Sequence, residues 1–147
     1  MVQSLSSEQI ISKDVLCELA ELRLREAEAL LKAGFPAGAV YLAGYAVECY
    51  LKAAVCTTLQ WDYLLGSFRV HDLDSLLLYS GFDRELRSDK EVFENFAKIS
   101  GIWTMAGNDS VRYRRPDVFD IGSASRFLEY IADPKIGVAT WLQRKVS

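Results

Sequence analysis

Along most of this 147-residue chain, apolar positions recur at spacings of three and four, the period of an α-helix. Over residues 8 to 33, Leu16, Leu19, Ala20, Arg23, Ala27, Leu30 and Leu31 fall on one stripe, with Arg23 inside it. Glu18, Glu21, Arg25, Glu26, Glu28 and Lys32 lie mostly off the stripe and face water. Gly34 is the expected left-handed stop, and Pro36 suits the first turn of a second helix, where no N–H is needed. That second helix runs to about Leu59. Between Ala39 and Cys56 its only charged side chains are Glu48 and Lys52. A helix apolar nearly all round belongs in the middle of a bundle or in a dimer interface. Gly38 and Gly44 would let another backbone come close to it.

Residues 60 to 70 form an aromatic-rich connection with Trp61, Tyr63 and Phe68. His71-Asp72-Leu73-Asp74-Ser75-Leu76-Leu77 then opens a short helix that stops at Gly81. Ser88-Asp89-Lys90-Glu91 matches a capping box and predicts a fourth helix over about 89–105, with Val92, Phe93, Phe96, Ile99 and Trp103 inward. A loop from Gly107 to Asp117 follows. Asp120 can cap a last helix, which Pro134 breaks before a final segment through Trp141. No alternating run of five or more, hairpin turn or internal repeat competes. The expected fold is all-α, one domain over residues 1–147, with a core at about 10–132 and a helical extension at 133–147.

Half the residues are apolar and a quarter charged, which excludes a disordered chain. Twenty acidic residues against 17 basic ones give a net charge of −3, so any nucleic-acid contact must use a local patch. Cys17, Cys49 and Cys56 have no framework spacing, and Cys49 and Cys56 would lie about 10 Å apart along one helix, too far to bridge. Free thiols fit a reducing, cytoplasmic setting. Met1 to Glu8 lacks the basic and apolar runs of a signal peptide. Ala37 to Cys56 is long enough to span a bilayer, but Glu48 and Lys52 inside it make insertion costly; a buried central helix and no membrane are expected.

The phosphate-cradling Gly-rich loops and the Gly-x-Ser-x-Gly elbow are missing, and one His with three scattered Cys gives no metal spacing. What remains is a polar set in apolar surroundings. Glu48 sits among Tyr41, Gly44, Tyr45, Leu51, Lys52 and Val55. A lone buried carboxylate neutralises or finds a partner, and Arg23 on the facing helix is the expected one, as a buried ion pair. The alternative is that Glu48 shapes a ligand pocket. His71 reads as an ordering residue at a helix start or as part of that pocket. Arg112-Tyr113-Arg114-Arg115 is the one basic cluster, downstream of Trp103, Asn108 and Ser110. Arg beside aromatic rings can hold a phosphate and stack a base. The plainer alternative is a solvated loop in which Arg114 and Arg115 pair with Asp109 and Asp117.

Glu26-Ala27 through Leu31, Gly34, and Ala39-Val40-Tyr41-Leu42-Ala43-Gly44-Tyr45-Ala46-Val47-Glu48-Cys49-Tyr50-Leu51-Lys52-Ala53 resemble the first two helices of HEPN (higher eukaryotes and prokaryotes nucleotide-binding) domains. His71-Asp72-Leu73 with Leu76-Leu77, and Trp103 with Arg112-Tyr113, fall where that family has similar segments. The resemblance implies an up-and-down bundle of about five helices, commonly a homodimer. Family members often work beside a minimal nucleotidyltransferase, as toxin–antitoxin or nucleotide-handling pairs, and many are metal-independent ribonucleases using Arg-x4–6-His. This chain departs from that motif: Arg69 stands too close before His71, and no His follows Arg112, Arg114 or Arg115. No catalytic residue is therefore assigned. The expectation is a non-catalytic HEPN-like module that binds a nucleotide, a short RNA or a nucleotidyltransferase partner, without cofactor or metal. Its ligand-binding set is Glu48, Lys52, His71, Trp103, Arg112 and Tyr113. A ribonuclease toxin with a non-standard site and a purely structural dimerisation unit are the alternatives.

Overall fold

The computed structural model describes residues 11–103 and 111–147, and of Arg112 the backbone alone. The predicted helix start at residues 8–10, the helix end at 104–105, and Asn108, Asp109 and Ser110 lie outside the described residues. Among those described, seven α-helices carry the fold: α1 Lys13–Lys32, α2 Pro36–Leu59, α3 Leu73–Ser80, α4 Asp83–Ser88, α5 Lys90–Trp103, α6 Ile121–Ala132 and α7 Val138–Val146. This is the all-α bundle that the periodicity predicts, with more and shorter helices than five. The extra ones arise because α4 separates from α5 at Asp89, and α7 from α6 across Asp133 to Gly137.

α2 is the hub. It packs against α1, α3, α6 and α7, and residues 46 to 56 are buried without a break. Its length and composition would suffice to cross a membrane, but 83% of its most apolar stretch is buried inside the fold. Of the two places expected for a helix apolar nearly all round, α2 takes the middle of the bundle. The stop at Gly81 adopts φ +77°, left-handed backbone that an L side chain resists. Asp72 caps α3 by accepting from Ser75 N–H, and Asp120 caps α6 by accepting from Ser123 N–H at 2.7 Å.

Three local expectations are corrected. Ser88 opens no capping box: its hydroxyl donates to Glu85 O and closes α4. A two-stranded antiparallel ribbon exists, β1 Ile11–Ser12 on β2 Tyr63–Leu64, too short to show alternation in sequence. It ties the start of α1 to the connection after α2, helped by Lys13 N–H donating to Asp62 O. Finally, Gly44 admits an indole rather than a backbone. A Cβ there would overlap the ring of Trp103 from the end of α5.

Candidate functional site

The carboxylate of Glu48 is fully buried on α2. Its Oε1 lies 2.5 Å from Nδ1 of His71 and 3.7 Å from Nζ of Lys52, one turn further along the same helix. Its Oε2 has no hydrogen-bond partner among the described residues. Lys52 is itself nearly buried, whereas the His71 side chain is 59% exposed. The cluster therefore runs from a sealed carboxylate outward to an imidazole in contact with water.

Trp103 completes one wall. Its indole N–H donates to the backbone carbonyl of His71 at 3.3 Å, and its ring meets that of Tyr41, 5.8 Å between centroids. The approach at Gly44 is what lets the indole lie between α2 and the residues leading into α3. Ser100, one turn back on α5, donates to Asp74 in the first turn of α3. That bond ties α3, which begins two residues after His71, to α5, which ends at Trp103.

Four of the six expected ligand-binding residues, Glu48, Lys52, His71 and Trp103, thus meet in one place. Tyr113 stands in the 3-10 turn Val111–Tyr113, which packs against α2, and is 81% exposed. The side chain of Arg112 lies outside the described residues. Arg115 takes Asp117 at 3.5 Å, an exposed pair as the plainer reading of that loop expects. Arg114 differs: its Nε and Nη2 are buried with no hydrogen-bond partner among the described residues.

The expected Arg23–Glu48 ion pair is not what forms. Arg23 donates twice to Glu26, one turn along its own helix, with the closer contact at 2.7 Å, and its guanidinium stands 6.0 Å from the ring of Tyr45. The Glu26 hydrogen bond, the largest cause, raises the Arg23 pKa further. Successive helix residues are about 100° apart, so Tyr45 and Cys49 meet α1 while Glu48 turns toward α3 and α5. Burial, with Glu48 next, pushes the Cys49 thiol up to about 11, and burial likewise raises Cys17 and Cys56. These thiols are packing groups and not nucleophiles.

Sequence reasoning did not count Tyr41, whose ring meets that of Trp103, among the ligand-binding residues. Tyr41 had a signal, its place one turn before Gly44 and Tyr45 on the Glu48 face. Among the described residues no group of three His, Cys, Asp or Glu could hold a metal ion.

The chain matches no curated protein and no solved structure. A family model does match it, that of the HEPN domain, over residues 14–132, a span that includes Tyr41, Glu48, Lys52, His71 and Trp103. The chain belongs to the HEPN domain family.

Proposed function

We propose that this HEPN domain is a non-catalytic module that binds a nucleotide or a short RNA at the Glu48–Lys52–His71–Trp103 site. The observation that carries this is unused bonding capacity in buried charged groups. Oε2 of Glu48 lacks a donor, and Nε and Nη2 of Arg114 lack acceptors, among the described residues. An unsatisfied buried polar group costs about 1–3 kcal/mol, more when charged, and such groups are few in folded proteins. A ligand with both donors and a phosphate would meet both needs. The exposed imidazole of His71 and the ring of Tyr113 supply a polar edge and a stacking face.

A thermal-shift screen against mononucleotides and short RNA tests the proposal. Binding to the native state alone raises the midpoint, and Arg114→Met should reduce that rise. A midpoint unmoved by every nucleotide and RNA would refute it.

The same module is proposed to work as a homodimer beside a nucleotidyltransferase partner, in a toxin–antitoxin or nucleotide-handling pair. What supports self-association is the surface around the α2–α3 connection. The rings of Trp61, Phe68 and Tyr79 form a continuous chain, and Tyr63, Leu65 and Leu78 are exposed. An apolar patch of this kind commonly marks an interface. Sedimentation at micromolar concentration should give twice 16.5 kDa.

A ribonuclease reading is favoured by one observation, the imidazole held on a carboxylate, an arrangement suited to proton transfer. Cleavage of RNA by the wild type and its loss in His71→Ala would select it.

A further inference from the structure

Between α3, α4 and α5 lies a cavity of about 260 Å³, and none of Glu48, Lys52, His71 and Trp103 lines it. Its floor is apolar. Leu77 of α3 and Phe96 of α5 are buried there, with Phe93 and Ala97 beside them on α5. Pockets for drug-sized ligands run to about 300–1,000 Å³, so this one suits a single ring or a short alkyl body and is too small for a nucleotide.

Among the described residues three charged side chains line the cavity, and two of them answer each other. Arg87 donates from Nε to Asp83 at 3.0 Å, one turn back on α4, and its guanidinium lies 4.9 Å from the centre of the Phe93 ring. That leaves Asp74, in the first turn of α3. Its Oδ2 accepts from the Ser100 hydroxyl at 2.7 Å, which fixes the carboxylate without neutralising it. Among the described residues no lysine, arginine or histidine pairs with Asp74. Lys98, the residue after Ala97, is turned to α6, with its ammonium 4.9 Å from the centre of the Tyr130 ring. An apolar cavity with one carboxylate left over in its wall is complementary to a cation carried on an apolar body.

We propose that this cavity is a second binding site, for a small primary amine on an aryl or alkyl body. The ammonium, with three donors, bonds the Asp74 carboxylate, and the body lies against Leu77 and Phe96. An organic anion is disfavoured, because Arg87 is already held by Asp83 and Phe93 while Asp74 and Asp83 repel it. No covalent bond changes. The site shares no residue with the Glu48 cluster and does not depend on the nucleotide-binding reading.

Titration of the full chain with phenethylamine, followed by proton–nitrogen NMR, tests this. The wild type should show saturable shifts at the amides around Asp74 and Ala97. The neutral isostere 2-phenylethanol and the anion 3-phenylpropionate should each bind at least about fivefold more weakly. Asp74→Asn keeps an acceptor for Ser100 and should weaken phenethylamine at least about fivefold. Ala97→Leu, at an exposed helix position, fills the cavity and should remove the shifts. No saturable shift with phenethylamine, equal affinity for the alcohol, tighter binding of the anion, or affinity unchanged in either variant would overturn the proposal.

Discussion

Trp103 packs against Gly44 so closely that residue 44 can carry no side chain without displacing the indole. The contact joins the end of α5 to the middle of α2, and the same indole donates to the His71 carbonyl. A single close approach thereby sets both a piece of core and the backbone of the exposed imidazole.

Gly44→Ala should cost about 1–3 kcal/mol despite the better helix propensity of alanine, because overpacking here meets a large ring. Urea denaturation measures it. The double variant Gly44→Ala with Trp103→Leu should recover part of the loss; a single variant as stable as the wild type would show that the indole moves freely.

Glu48 should be coupled to Lys52 and not to Arg23. Lys52→Met leaves a buried carboxylate with one fewer partner, a type of break that costs about 3–5 kcal/mol. Double-mutant cycles with Glu48→Gln should give a clear coupling for Lys52→Met and a value near zero for Arg23→Met. The Arg23–Glu26 pair is a partly exposed i,i+3 contact, worth well under about 1 kcal/mol.

Much of the fold was legible before any coordinates. α2 runs from Pro36 to Leu59 as periodicity, an N-terminal proline and the near absence of charge predict. The stop at Gly81 and the cap at Asp120 were equally plain, because each depends on residues a few positions apart. The site was half legible. An isolated glutamate in an apolar helix announces that it needs a partner, but not which one. Arg23 looked right because α1 and α2 are neighbours in sequence and in space. His71 is 23 positions from Glu48 and reaches it only because α3 and α5 place the connection there. The ribbon of Ile11–Ser12 on Tyr63–Leu64 could not be read at all, since two residues carry no period. Nor does α2 alone reveal that α6 and α7 return to cover it.

Acid should weaken α6 through its cap. The Ser123 N–H, then the Ser123 hydroxyl, holds the Asp120 carboxyl below the usual aspartate range. A depressed folded-state pKa contributes stability that is complete above the ordinary value and is lost as pH falls through the folded one. Asp133 behaves alike, lowered by the N–H groups of Ile136 and then Lys135. Asp120→Asn keeps a good cap without a titrating group, so its stability should depend less on pH below about 4 than that of the wild type. Identical acid profiles for the two proteins would contradict this.

Purified protein should not cleave single-stranded RNA at a rate typical of HEPN ribonucleases. A positioned acid–base group contributes roughly 10²–10⁴-fold, and the family's Arg-x4–6-His frame for it is missing. Wild type and His71→Ala should be equally inert in a gel assay; robust cleavage that His71→Ala abolishes would establish the ribonuclease reading instead.

The proposed nucleotide site joins the Glu48 cluster to the arginine segment. Its most direct test is a fluorescence-anisotropy titration of a labelled short RNA, with the wild type and with His71→Gln/Arg114→Met. The wild type should bind saturably, more weakly as salt rises, and the double variant at least about tenfold more weakly still. No binding by the wild type, or equal affinity in the two proteins, would contradict it.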